Sequence, residues 1–510
     1  MDGRGAVCRF LLFSMAIVLL GVLNGCAPLT EQPMAKGGVL ALDDLSEKPA
    51  TLQGEWEFYW QQLLTPEDFR NGRAPPPEHF ISLPRSWNGY VWEGQTLSSD
   101  GYATFRLILQ LDQQDIGQRF ALRMPTIFHS YKLWIDGHLS AEAGRVGTDK
   151  PSTVPSLATR FVPFQPQTDQ VEIMIQVANF HHARGGITKP IEIGDRETLW
   201  KKTIFKYVAE LFMTSSLLII GLYHLLLYLK RRKDKAPLYF GLFTVGWSLR
   251  SLVVGELLMT QMFPEFPWEL QLKIEYLVLY GGMFIFTMYF FHLFHEETPR
   301  WLRTASGVLA VAFSLLVMVA PAKVYSKTLI AYEMIVAGHL CFFVYAMFLA
   351  TKRRKEGAVV FFIASVILAM TALNDFLYYS GRVLVGSFSV LGILIFTFAQ
   401  MHLLSSRFAR AEADVEQVAQ QLAATNQRLV ELNKNLERIV QERTRELKMA
   451  NEQLRQAYDR LLAAEEGRKK LLAYITHDLK GPLSTMLGYV EAVQDNIKPE
   501  KKPCLFTIRS

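Results

Sequence analysis

Four cysteines in 510 residues is a low number, and their positions limit them further. Cys8 and Cys26 lie near the N-terminus, Cys341 in an apolar run and Cys504 near the end, so no disulfide can form inside the long segment between Cys26 and Cys341. Whatever folds there is held by its core alone. Charge is also scarce: Asp, Glu, Lys and Arg make up 20% of the chain against 50% apolar residues. That balance argues against a soluble enzyme and for a membrane protein. The net charge of +6 is modest. The two densest basic runs, Lys230 to Lys233 and Lys352 to Lys355, each close an apolar stretch, which excludes the basic face that nucleic acid requires. No pair of carboxylates stands at a spacing suited to glycosidic-bond hydrolysis, and no cluster of metal-ligating residues stands out.

What is present begins with an export pattern. Arg4 and Arg9 precede an apolar core from Phe10 to Leu23, and Leu23-Asn24-Gly25-Cys26 follows. Residues 1–26 therefore read as a signal peptide. The last four resemble a bacterial lipobox, which makes Cys26 a candidate for lipidation; the alternative is an uncleaved anchor helix.

Residues 40–200 alternate with a period of two. In Phe105 to Leu111 and again in Val171 to Val177 the odd positions are apolar, as a strand with one buried face demands. Asp136-Gly137 between strand-like residues predicts a type I′ hairpin turn. Short strands joined by Gly and Pro turns predict a β-sandwich. Leu52-Gln53-Gly54-Glu55-Trp56-Glu57-Phe58, Leu83-Pro84-Arg85-Ser86-Trp87, Gly101-Tyr102-Ala103-Thr104-Phe105-Arg106 and Asn179-Phe180-His181-His182 resemble the galactose-binding-like jelly rolls. The resemblance implies an extracellular small molecule or glycan as ligand. Trp56, Trp60, Trp87, Trp92 or Trp134 would stack on a sugar ring while Asp136, Asn179 or His181 supply hydrogen bonds. Core packing is the competing reading for most of these aromatics, and a metal site at His181-His182 is disfavoured because neighbours on a strand face opposite ways.

Residues 205–406 hold apolar runs of membrane-crossing length, read at 207–229, 237–260, 272–294, 302–320, 328–351, 358–379 and 386–406. The loops after spans one, three and five carry most of the Lys and Arg, so the positive-inside rule places the β-region outside and everything after Phe408 in the cytoplasm. A sugar-binding-like domain followed by seven spans resembles the bacterial seven-transmembrane receptors with diverse intracellular signalling modules. Charges inside spans are costly and usually partnered. Arg250 lies ~20 Å from the inner edge of its span and Glu333 and Asp375 at ~22–26 Å, at ~1.5 Å per residue. The expectation is that Arg250 pairs with Asp375 or Glu333; the alternative is that both acids sit hydrated at the outer interface.

Beyond the spans, residues 407–470 read as a coiled coil that makes the chain a homodimer. Leu422, Leu429 and Leu436 recur every seven residues with Thr425, Leu432 and Ile439 in the alternate seam positions, and Leu447, Leu454 and Leu461 continue after a four-residue stutter. In residues 471–495, Thr476-His477-Asp478-Leu479-Lys480-Gly481-Pro482 resembles the phosphoacceptor box of sensor histidine kinases. The resemblance implies that His477 receives phosphate, that Asp478 accepts or holds the imidazole proton, that ATP is the phosphodonor, and that the phosphate passes to a response regulator. Gly481 stands where phosphatase-competent members carry Thr or Asn.

Residues 496–510 read as an atypical tail. The second hairpin helix and the ATP-binding domain of the family have no counterpart after Val493, so the chain reads as the receptor portion of a truncated kinase. It is expected not to autophosphorylate and to take phosphate only from a catalytic domain supplied in trans. Two rivals stand beside this: a receptor that recruits a cytoplasmic partner through its coiled coil without kinase chemistry, and a lipid-anchored glycan-binding surface protein. The expected architecture is thus a multi-pass cell-membrane protein with an exported all-β jelly roll, a seven-helix bundle, a coiled coil and a partial phosphoacceptor helix.

Overall fold

The computed structural model describes residues 33–42, 45, 49–355, 357–379 and 388–494. The signal peptide with Cys26 and the tail at 496–510 lie outside the described residues. The chain divides into two units, Met1–Ser406 and Arg407–Ser510.

The first unit opens with strands whose alternation is the one read in the sequence. The principal strands are β1 (Val39–Leu42), β2 (Gly54–Trp60), β3 (Phe80–Leu83), β4 (Gly101–Leu111), β5 (Phe120–Met124), β6 (Ser130–Ile135), β7 (His138–Ala143), β8 (Arg160–Phe164), β9 (Gln170–Asn179) and β10 (Glu192–Asp195). The larger sheet runs β7-β6-β9-β4-β2-β3, and β1 pairs in parallel with the end of β4 that β2 leaves open. The smaller sheet runs β8-β5-β10 with Ala50–Thr51 at its edge. In β4 Phe105, Leu107 and Leu109, and in β9 Val171, Ile173, Ile175 and Val177, have no exposed surface. They meet Phe120, Leu122 and Ile193 of the smaller sheet in one core, so the period-two pattern buries one face of each sheet against the other. The β6–β7 turn puts Asp136 at φ 49° and Gly137 at φ 80°, the left-handed pair that a type I′ turn requires.

Helices follow from Arg196. They are α1 (Arg196–Lys230), α2 (Ala236–Val253), α3 (Leu258–Met262), α4 (Trp268–Leu293), α5 (Arg300–Val319), α6 (Leu329–Lys352), α7 (Ala358–Tyr379) and α8 (Ser389–Gln494). Among the described residues six helical segments are long and apolar enough to cross a membrane: α1, α4, α5, Ala322–Lys352, Ala358–Leu377 and Ser389–Glu491. The chain is a multi-pass membrane protein with a sheet domain. The second expected span, 237–260, is not continuous helix. α2 ends at Val253, Val254 is extended, Leu257 takes a left-handed backbone, and α3 begins at Leu258. α2 packs against both α1 and α4. Phe240, Tyr280, Tyr289, Phe290, Phe361 and Phe396 form the centre of the bundle core. Two polar pairs lie within that core: Tyr332 Oη donates to the Tyr280 carbonyl at 2.7 Å, and Tyr289 Oη donates to Gln400. The basic run Lys352 to Lys355 finds acids: Arg353 lies 3.2 Å from Glu297, and Lys355 lies 2.7 Å from both Glu296 and Glu297.

The described residues of the second unit are helix, the part of α8 from Arg407 onward. Leu422, Leu429, Leu432, Leu436, Leu447, Leu454 and Leu461 are 52–71% exposed. The helix runs through Pro482.

Candidate functional site

Within the first unit, sheet domain and helices are joined by a band of polar contacts. Arg123 on β5 is the principal cation: its guanidinium pairs with Glu256, in the break between α2 and α3, and lies 3.6 Å from Glu192 on β10. Glu192 is bound in turn by Lys202 at 3.1 Å and Lys206 at 3.2 Å on α1. Burial alone would raise the Glu192 carboxyl, but Lys206, Lys202 and Arg123 together hold it below the usual carboxylate range. The break itself is tied down from two sides. The Glu256 N–H donates to Glu210 of α1 at 2.9 Å, and Gln271 of α4 donates to the Val253 carbonyl at 3.0 Å. Gly255 is required there, since its φ is +71° and a Cβ would come within 2.6 Å of the Glu210 carboxylate.

A second group of contacts lies around residues 181–189. The Ala183 N–H donates to Ser326 Oγ at 3.1 Å, Lys323 pairs with Asp100, and the Trp268 indole donates to the Phe128 carbonyl at 3.0 Å. His182 stacks on Phe128 with ring centroids 4.7 Å apart. Burial pushes the His182 imidazole down to about 4 and His129 down to about 3, so both rings are neutral at physiological pH. Lys189 is lowered first by burial, with the carboxylates of Glu256 and Glu275 opposing that shift. These groups line a cavity of about 90 Å³ shared by the sheet domain and the helices, with Arg184 and Lys189 on one wall and Arg250, Glu275 and Glu333 on the other.

The three intramembrane charges read from sequence take different partners. Arg250 Nη2 lies 3.6 Å from Glu275 Oε1 on α4, and its guanidinium rests over the Trp247 ring at 5.3 Å. Glu275 was not singled out in the sequence; its signal was a lone acid one helix away, at the outer end of the next apolar run. Glu333 lines the same cavity and interacts electrostatically with Arg184 and Arg250. Asp375 accepts the backbone N–H groups of Phe388 at 2.6 Å and Ser389 at 3.1 Å. It caps the N-terminus of α8, where the helix dipole favours an anion.

The residues considered for sugar binding are largely committed to the fold. Trp56 and Trp87 have no exposed surface, Trp60 packs on Trp87 and Phe58, and Trp92 packs on His79 and Phe58. Asn179 is buried, donates to the carbonyls of Ser99 and His182 and accepts the His182 N–H. Asp136 accepts the Glu172 N–H at 2.8 Å. His181 and His182 point apart, His181 toward Trp268 and His182 onto Phe128.

In the second unit His477 and Asp478 are 89% and 81% exposed in their side chains, with Nδ1 to Oδ1 at 3.8 Å. That separation is outside hydrogen-bond range, so a side-chain rotation is needed before Asp478 can hold the imidazole proton. Pro482 has no N–H to offer the Asp478 carbonyl one turn earlier, which leaves the helix ladder open at the His-Asp pair.

The sheet domain is thus clamped by ion pairs onto a set of apolar helices of membrane-crossing length. Residues 206–410 match the family described as 7TM diverse intracellular signalling. A search of curated proteins gives no match. Among solved structures the chain is similar to a Faecalibacterium prausnitzii β-glucuronidase at 16% identity and TM-score 0.22, covering 29% of this chain and 31% of that one. A β-glucuronidase of an uncultured Clostridium sp. gives 12%, 0.23, 32% and 30%, and one from Ruminococcus gnavus gives 12%, 0.22, 29% and 28%. The chain thus spans less than a third of the length of these structures.

Proposed function

We propose that the chain is the sensory and transmitting part of a histidine-kinase phosphorelay. In this reading the sheet domain is a galactose-binding-like jelly roll on the outer face, seven helices cross the bilayer, and a parallel dimer of α8 presents His477 in the cytoplasm. The imidazole attacks the γ-phosphate of ATP held by a catalytic domain, the bond to the β-phosphate oxygen breaks, and Asp478 takes or holds the proton on the other ring nitrogen. The phosphate then passes to a response-regulator carboxylate. The observation that carries the reading is the exposure of the His477 ring, 89% free on a helix whose leucine seam is itself uncovered. An exposed seam of this period is satisfied by a second copy of the same helix.

The test uses membranes that contain this chain together with a full-length relative carrying an active ATP-binding domain. With radiolabelled ATP, acid-labile label is expected on this chain and absent from His477→Gln. Label equal in the two chains, or absent from both while the relative labels itself, overturns the phosphorelay and leaves partner recruitment through α8 as the reading.

A further inference from the structure

The interface cavity has a chemical character that the phosphorelay reading does not use. It is bounded by the sheet domain on one side and by α2, α4 and α6 on the other, so an occupant touches both. Pockets that join two domains are common ligand sites because the occupant contributes directly to how the domains are held together. At about 90 Å³ it is smaller than the ~150 Å³ cavity that accepts benzene. Only the smallest organic ligands fit, and a hexose does not.

Its charges are of both signs. Arg184, Lys189 and Arg250 line it with Glu275 and Glu333. A ligand with one group of each sign finds partners for both and adds no net charge to this buried set. Arg250 Nε is buried without a hydrogen-bond acceptor among the described residues, although its Nη2 already faces Glu275. A carboxylate supplies the missing acceptor, and guanidinium is the side chain best shaped to take it. Glu333, on the same wall, offers an ammonium a partner. The neutral rings of His129 and His182 and the faces of Phe128 and Tyr276 complete the lining without altering the charge count.

We propose that this cavity binds a small zwitterion of amino-acid size, its carboxylate held by Arg184 and Arg250 and its ammonium by Glu333 and Glu275. The inference rests on the reading of the chain as a sensor of an external ligand and names the class of that ligand. Binding bridges the segment at 184–189 to α2, α4 and α6, which is the contact a sensor must change to signal.

The test is calorimetric titration of the full chain in lipid nanodiscs with glycine, L-alanine and L-serine, and with the half-ligands acetate and ethylamine. Saturable binding is expected for at least one amino acid, at least tenfold tighter than for either half-ligand. Arg184→Gln and Glu333→Gln are each expected to weaken it at least tenfold, and Thr188→Trp, which fills the cavity while leaving every charge in place, to abolish it. Thermal unfolding of each variant identifies any that fail to fold, and Thr188→Trp then decides. No binding of the three amino acids, binding of acetate as tight as theirs, or binding indifferent to all three variants overturns the site. Labelling of His477 is measured in parallel, in membranes that also contain the full-length relative. Binding without labelling there overturns the phosphorelay and keeps the site, and labelling without binding does the reverse.

Discussion

The sheet domain and the extended part of α8 satisfy their apolar residues in opposite ways. In the sheet domain the alternating faces close on each other, and Trp56, Trp87, Phe105 and Tyr131 have no exposed surface. Beyond Arg407 the apolar residues are just as regular, yet Leu429 is 52% and Leu447 71% exposed. The first pattern is covered within one chain, and the second is left uncovered in it, as the proposed dimer requires. Sequence periodicity reports which face is apolar and is silent on whether the covering surface belongs to the same polypeptide. The difference also separates two energetic regimes. Substitutions in the sheet domain act on intrachain stability, while substitutions in the helix seam act on association.

That contrast is broken most sharply at the seam. Leu429→Asp with Leu436→Asp is expected to abolish cross-linked dimer in membranes while leaving thermal unfolding of the first unit unchanged; a parallel drop in both would show that the two regions are not independent. Trp87→Ala is expected to do the opposite, destabilising the sheet domain by about 3–5 kcal/mol with no change in dimer yield, as read by chemical denaturation of the full chain. Arg123→Ala leaves Glu256 and Glu192 facing each other in a half-buried site. It should cost about 3 kcal/mol, and the double variant with Glu256→Ala should recover part of that, because an unpaired buried charge is worse than none.

A smaller effect follows from the buried histidines. The His182 pKa is about 4 in the folded state against 6.5 for the free side chain. The unfolded chain therefore binds the proton first, and the contribution is fully present above pH 6.5 and is lost as pH falls toward about 4. His182→Asn is expected to flatten the pH dependence of stability in that window, by on the order of 3 kcal/mol between its ends. An unchanged slope would mean that carboxylates alone set the acid response.

Much of the fold was legible because its signals are local. Odd-numbered residues of 105–111 and 171–177 are all buried, although Met174 and Gln176 on the opposite face of the second strand are buried as well, and Asp136-Gly137 takes the turn its residue types demand. His224 and His339 bond the carbonyls one turn back, at 2.8 and 2.9 Å. The break at Val254 to Leu257 was not legible. The run from 237 to 260 stays apolar through it, and its cause is tertiary: Arg123 and Glu210 hold Glu256, and Gln271 holds Val253. Depth along a span singles out Arg250 but does not say which helix stands beside it, so Glu275 was missed, and Asp375 instead accepts the backbone N–H groups that open α8. The interface cavity was illegible for the same reason, since its walls come from segments more than a hundred residues apart.

The central claim, that a helix uncovered in one chain is covered by a second, is tested most directly by cysteine cross-linking in membranes. Leu422, Leu429, Leu432 and Leu436 are replaced singly by Cys, with Gln427 and Lys434 as controls on the outer face, in a background where Cys341 and Cys504 are serine. Disulfide-linked dimer at the seam positions and its absence at the two controls is the expected result. Equal yields at all six, or no dimer at any, would contradict the account.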